Sequence, residues 1–290
     1  MPTVFIGLPV FNGGAYLEET IRSILNQTYS DFILFISDNA STDNTENICR
    51  GFVKKDPRVT YVRQKENLGW RKNFQYVRQA ADTDYFMWIA ADDPLAPTFL
   101  SCVIRVYERH PNIVGVMSDI IEIDSFGTMG STILLDNIRV DESLKNWDRT
   151  KELFFQNPTT NIFFCIYAVF RTHEIKKIKL NYKGLVKYAS SSEIPVLAQV
   201  ALKGPIVSIS QPLKFYRKHE DSMYVSEKVY SNMLERYKML LNVSYILLLI
   251  TRDANINKIS KIRLYRQTIK KTSYELIKFL PRYIKLKLKI

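Results

Sequence analysis

Three cysteines in 290 residues, Cys49, Cys102 and Cys165, are too few and too far apart for a disulfide framework or a zinc site. They read as buried thiols in a reducing compartment. The three histidines, His110, His173 and His219, have no metal-ligand spacing among themselves. There is no G-x-G-x-x-G, no P-loop lysine and no H-E-x-x-H, and no Ser-His-Asp set can be read from the order of residues. The longest apolar stretch, Tyr245 to Ile250, is far short of the ~20 residues that span a bilayer. The chain enters a strand-like segment at once, without the basic region and apolar core of a secretion signal. Asn26-Gln27-Thr28 and Asn39-Ala40-Ser41 match glycosylation acceptors by chance on that reading. No internal repeat or low-complexity linker interrupts the chain.

What is present is ordinary globular composition, 46% hydrophobic and 24% charged, which excludes wholesale disorder, collagen and coiled coil. Aromatic residues make up 12%, enough for a substantial core or a surface that handles sugars. The net charge of +12 is uneven. From Lys258 to Ile290 eleven basic residues face one acid, Glu275, so ten of the twelve excess charges sit in one terminal segment. Basic patches attract nucleic acid or anionic lipid.

The first half alternates strand and helix signals. Val4 to Val10, Phe32 to Ile36, Val59 to Val62 and Tyr85 to Ile89 read as buried strands, with Val114 to Met117 a further one. Leu17, Ile21, Ile24 and Leu25 make one helix face apolar. Ser41-Thr42-Asp43 supplies cap chemistry for a helix to about Lys54, Asn73 to Ala81 is helical, and Pro97 starts a helix to Arg109. Strands separated by helices imply a parallel sheet in an α/β domain. Residues 119–150 read as loop-rich or a meander. Helical signals return at Asp148 to Phe155 and Ile194 to Leu202, and strands at Ile206 to Ser210 and Leu213 to Tyr216. From Lys228 onward the chain reads as helices, with a break expected at Pro281.

Polar residues gather at the strand ends. Pro9-Val10-Phe11-Asn12 ends the first, Ser37 to Asp43 the second, Asn67-Leu68-Gly69 follows the third, and Ala90-Ala91-Asp92-Asp93 ends the fourth. All four fall on one edge of a parallel sheet, where ligands bind in such folds. Paired carboxylates beside a strand suit Mg²⁺ or Mn²⁺, which hold substrate phosphates. Departure of a nucleoside diphosphate is the chemistry that fits.

At these residues the sequence resembles a known family. The run VFIGLPVFNGGAYLEETIRSILNQTYSDFILFISDNASTDNT, then ENLGWRKNF, then YFMWIAADDPLAP, is similar to the N-terminal half of family-2 glycosyltransferases with the GT-A fold. The likeness is good over about residues 3–120 and patchier to about 225. It implies an α/β, Rossmann-like nucleotide-sugar-binding domain over 1–225 with a nucleotide half (1–118) and an acceptor half (119–225). Residues 226–290 form a helical, basic C-terminal region. The implied activity is inverting transfer of a sugar from a nucleoside diphosphate donor to a glycan or polyprenyl-linked acceptor, in bacterial surface polysaccharide synthesis.

The resemblance also implies roles. Pro9, Phe11 and Asn12 belong to the loop against base and ribose, Asp38 to the acid that meets the base, and Asn67 and Gly69 to the element near the nucleotide. Asp92 matches the last acid of the family's Asp-x-Asp metal motif, whose first acid is Ala90 here. Asp92, with Asp93 as an alternative, is left to hold Mn²⁺ or Mg²⁺. Glu193 stands where the family places its general base, at the start of an apolar helix; an acid there is also favoured simply by the helix dipole. His219 matches a histidine that reaches metal or diphosphate. Arg217 pairs with the diphosphate on this reading, or structurally with Glu220 or Asp221. Trp70 and Trp88 are core or sugar-stacking, and Arg71 and Lys72 face phosphate or solvent.

The tail interleaves its bases with Ile262, Leu264, Tyr265, Ile269, Tyr274, Ile277, Phe279 and Leu280. It is expected to meet anionic headgroups at the inner face of the cell membrane, or to pack on the body or a second copy. No nucleic-acid-binding motif accompanies the charge. The missing first acid leaves a rival reading, a non-catalytic nucleotide-sugar-binding scaffold subunit of a glycan-assembly complex. A sugar-nucleotide pyrophosphorylase would carry a basic Gly-rich loop after the first strand, which the residues following Asn12 lack.

Overall fold

The computed structural model describes residues 4–155, 161–179, 193–220 and 233–288. The apolar runs of the first half are strands: β1 (Val4–Val10), β2 (Phe32–Asp38), β3 (Val59–Arg63) and β4 (Tyr85–Trp88). They lie in the order β3-β2-β1-β4 and are all parallel. Every residue of β1 is buried. A strand covered on both faces loses its alternation, which is why it reads as a continuous apolar run.

Helices α1 (Leu17–Leu25), α2 (Thr45–Val53), α3 (Trp70–Ala80) and α4 (Phe99–Arg109) connect and cover the strands. Ile6 and Leu8 pack with Leu17 and Ile21 of α1 and Val103 of α4. Phe5, pointing to the other face, packs with Val77 of α3 and with Phe86. A Cβ on Gly7 would lie 2.1 Å from Val77 Cγ1, so the close seat of α3 on β1 depends on the missing side chain.

The second half completes the same sheet. β5 (Gly115–Ile123) and β6 (Met129–Ile133) form an antiparallel hairpin, so the segment expected to be loop-rich continues a strand first. β7 (Val169–Arg171) inserts antiparallel between β4 and β5. β8 (Ile206–Arg217) runs parallel to β5 as one strand where two were expected; register shifts on either side of the Asp119–Pro212 pair absorb Ser210, Gln211 and Leu213 without ending it. Short helices α5 (Val140–Lys145), α6 (Trp147–Thr150) and α7 (Thr172–Lys176) lie between strands, and α8 (Glu193–Ala201) precedes β8. Two long helices follow, α9 (Met233–Asp253) and α10 (Lys258–Leu288). α10 runs through Pro281 where a break was expected. A proline removes one bond from the helical ladder and can bend a long helix without ending it.

Candidate active site

The parallel strands end on one edge, and the loops beyond them open onto a cavity of about 640 Å³. Pro9, Phe11, Asn12, Asn67, Gly69 and Asp92 line it, as expected from their places at the strand ends. Tyr167, Tyr216, His219 and α8, through Glu193 and Val196, line it as well. Residues 75 to 210 positions apart along the chain therefore face one space.

Backbone-to-side-chain bonds stitch the first two loops together. The Asn12 N–H donates to Ser41 Oγ (2.8 Å), and Asn12 Oδ1 accepts the Thr42 N–H (2.8 Å). The Gly13 N–H reaches Thr45 Oγ1 (2.9 Å) and the Gly14 N–H reaches Asp43 Oδ2 (2.8 Å). Asn12 and Ala40 both adopt left-handed backbone, φ 53° and 61°. A short polar Asn tolerates that region, whereas for Ala40 it stores strain beside the site.

Asp38 lies beneath this loop and does not line the cavity. Its Oδ1 accepts the Ser41 N–H (2.8 Å), and Oδ2 accepts Tyr61 Oη (2.7 Å) and Arg63 (2.6 Å). Burial alone would raise its carboxyl, but the bonds from Ser41, Tyr61 and Arg63 outweigh it and hold the group below the usual range. Its neighbour Asn39, which sequence reasoning passed over, lines the cavity instead. The Asn39 amide donates to Asn67 Oδ1 (2.8 Å) and its carbonyl accepts the Leu68 N–H (2.9 Å). Gly69, at φ 80°, then turns the chain into α3.

The acid pair after β4 splits into two roles. Asp92 faces the cavity, and its Oδ2 lies 2.9 Å from His219 Nε2. In this bond the Nε2–H donates to the carboxylate; a divalent ion held by both groups would take the place of that proton. Asp93 borders the same cavity but is almost fully buried and pairs with the equally buried Lys214 at 2.8 Å. Its Oδ1 also accepts the Arg217 N–H (3.0 Å), so both Asp93 oxygens are already bonded within the fold.

Arg217 turns into the fold as well. It does not line the cavity and is only 1% exposed. Its guanidinium donates to the carbonyls of Asp92 (3.1 Å) and Asp124 (3.1 Å) and pairs with Glu19 of α1 (2.5 Å). These donors are used on protein groups, not on a diphosphate, and the partner is Glu19 rather than Glu220; Asp221 lies outside the described residues. Tyr16 lies between the Arg217 guanidinium (4.7 Å) and the His219 ring (4.9 Å). Nothing in the sequence marked Tyr16 or Glu19, because their partners are about two hundred residues away.

Glu193 opens α8, as its position before the apolar run implied. The residue is partly exposed, yet its Oε2 is sealed from solvent and has no hydrogen-bond partner among the described residues. Burial pushes its carboxyl up to about 7. Tyr167 lines the same cavity, and the charges of Asp93, Glu193 and Asp92 add to burial in keeping its hydroxyl protonated. Trp70, Arg71 and Trp88 also line the cavity, whereas Lys72 does not. Trp88 is buried and donates its indole N–H to Phe74 O (3.1 Å), so it serves as core as well as wall.

Among the described residues no cluster of three or more His, Cys, Asp or Glu gathers. Asp92 and His219 offer one oxygen and one nitrogen side by side at the cavity. Such a pair could hold a hard divalent ion only if a ligand's oxygens and water complete its shell.

Comparison with known proteins places this geometry among sugar-transferring enzymes. The family model described as glycosyl transferase family 2 matches residues 5–178. An uncharacterized glycosyltransferase of Haemophilus influenzae is 26% identical over 294 residues, 97% of this chain and 88% of that protein. The GalNAc(5)-diNAcBac-PP-undecaprenol beta-1,3-glucosyltransferase of Campylobacter jejuni is 24% identical over 308 residues, 91% of this chain and 98% of that protein. Other relatives match over 96 to 134 residues, between 14% and 48% of their own length. Crystalline S. aureus TarS 1–349 in complex with UDP-GlcNAc has the same fold, with a TM-score of 0.69 over 92% of this chain and 71% of that one, at 15% identity.

Proposed function

The chain belongs to glycosyl transferase family 2, and from that premise we propose an inverting transfer from a nucleoside diphosphate sugar to a glycan or lipid-linked acceptor. The setting is assembly of a surface polysaccharide. The named Campylobacter relative uses a lipid-linked acceptor, and the TarS crystal holds a nucleotide sugar. Both support the substrate classes without fixing the sugar.

The observation that carries this reading is Glu193, whose Oε2 is sealed from solvent without a hydrogen-bond partner among the described residues, in the lining of the cavity that Asp92 and His219 share. At about 7 its carboxyl is poised to take a proton near neutral pH. Glu193 removes the proton of the acceptor hydroxyl as that oxygen attacks the anomeric carbon. The bond from that carbon to the diphosphate oxygen breaks on the opposite face, and the nucleoside diphosphate leaves with the electron pair. Attack opposite the leaving group inverts the anomeric centre.

On this reading Asp92 and His219 would hold Mn²⁺ or Mg²⁺ beside the donor's diphosphate. A bound ion supplies charge stabilisation to the departing diphosphate. Phe11, Asn12, Asn39 and Asn67 shape the nucleotide end, and Arg217 steadies the Asp92 backbone. Ala90 removes one expected ligand, which makes the Asp92–His219 pair carry the protein's share alone.

The test is Glu193→Gln with nucleotide release measured on a panel of donors and acceptors, and donor binding measured by calorimetry. Transfer should fall by roughly 10²–10⁴-fold while donor binding persists. Undiminished transfer would remove Glu193 as the base. Donor binding without turnover in the wild type, on every acceptor, would favour the scaffold reading.

A further inference from the structure

Helix α10 carries Ile259, Ile262 and Ile269 on the outside. Its described side chains that face the body are Ser260, Leu264 and Thr268, all buried, of which one is apolar. Thr268 donates to Phe155 O (3.3 Å), and Thr272 lies 2.6 Å from Ser244 of α9. Ile259, Ile262 and Ile269 are 67%, 44% and 55% exposed. At 100° per residue they share a stripe ~120° wide with Arg263, Arg266 and Lys270, all exposed. No acid lies in this stripe. Exposed Tyr274 flanks it. A helix adapted to water on this side would turn those isoleucines inward, and contiguous exposed apolar surface marks a contact site.

The charge selects the occupant. A second copy would bring the same positive stripe against itself. A nucleic acid would meet the arginines but leave the isoleucines wet. An anionic lipid surface satisfies both, with phosphates at Arg263, Arg266 and Lys270 and acyl-chain boundary at the isoleucines. No helix among the described residues is long and apolar enough to cross a membrane, so contact is along the surface. We propose that the outward face of α10 docks this protein on an anionic lipid bilayer. This contact is separate from the transfer chemistry and stands or falls independently of it.

The experiment is flotation of the purified full chain with vesicles of phosphatidylcholine alone or mixed with phosphatidylglycerol. Two double variants, Ile262→Ser/Ile269→Ser and Arg263→Gln/Arg266→Gln, are compared with the wild type. The wild type should float only with the anionic vesicles, and less at high salt. The arginine pair should lower the partition coefficient roughly 30-fold, about fivefold per charge, and the isoleucine pair at least about tenfold. Melting temperatures and turnover on a water-soluble acceptor should stay unchanged in both, since these side chains are exposed and far in sequence from the cavity residues. Failure of the wild type to float overturns the proposal. So does an isoleucine pair that floats like the wild type while duplex DNA competes the protein off, which would mark a simple polyanion site. A concentration-dependent dimer that the isoleucine pair abolishes, without vesicle binding, would assign the face to a second copy instead.

Discussion

Oδ2 of Asp92 lies 2.9 Å from Nε2 of His219, although 127 residues separate them in the chain. The end of β8 is drawn to the loop after β4 by main-chain bonds, from Ala96 N–H to Leu213 O (2.8 Å) and from Phe215 N–H to Pro94 O (3.0 Å). The buried Asp93–Lys214 pair locks the same junction. The fold thus spends one acid of the Asp92-Asp93 pair on holding the other beside the histidine.

Asp92→Asn and His219→Gln should each lower kcat/KM by roughly 10²–10³-fold, the usual scale for lost charge stabilisation at a leaving group. Because the two act as a unit, the double variant should lose little more than either single one. Rates measured against Mn²⁺ concentration should show a raised requirement in both, and chelation should suppress the wild type. A wild type indifferent to chelation would contradict the proposed metal role.

Asp93→Asn should behave differently. It leaves the Lys214 ammonium buried without its partner, which costs about 3–5 kcal/mol. Asp92 faces the cavity, so Asp92→Asn should change stability by no more than about 1 kcal/mol. Urea denaturation of the two variants separates the roles; equal losses would contradict the division.

Much of this was legible because local signals agreed with the fold. The four apolar runs became β1 to β4, and period alone placed their polar ends on one edge. The resemblance singled out Glu193, at the start of an apolar helix, along with Asp92 and His219, which lie side by side in the fold. Three residues, Val169–Arg171, are too short to carry a period, so the insertion of β7 between β4 and β5 was hidden. Arg217 and Asp93 looked available because their partners, Glu19 and Lys214, lie 198 and 121 residues away. Inverted α10 was also invisible as such: its composition showed an amphipathic helix, but which face the body covers is a tertiary fact.

Stability should report the burial of Glu193 without any substrate. Its carboxyl stands at about 7 in the fold against 4.5 ordinarily, so the folded state holds this proton more tightly than the unfolded chain. The resulting stabilisation is fully present below pH 4.5 and is lost as pH rises through 7, at most about 3 kcal/mol. Glu193→Gln does not ionise and suffers no such loss. Thermal melts should show the variant gaining on the wild type between pH 5 and pH 8, on the order of those few kcal/mol. A gap that stays constant across this range would mean that the carboxylate is already ionised at pH 5.

The pH dependence of kcat/KM tests the base most directly. In the wild type the rate should rise about tenfold per pH unit on the acid side and level off above about 7, as Glu193 loses its proton. In Glu193→Gln the rate should be roughly 10²–10⁴-fold lower and that acid limb should vanish. A variant that keeps both the wild-type rate and the limb would show that another group takes the acceptor's proton.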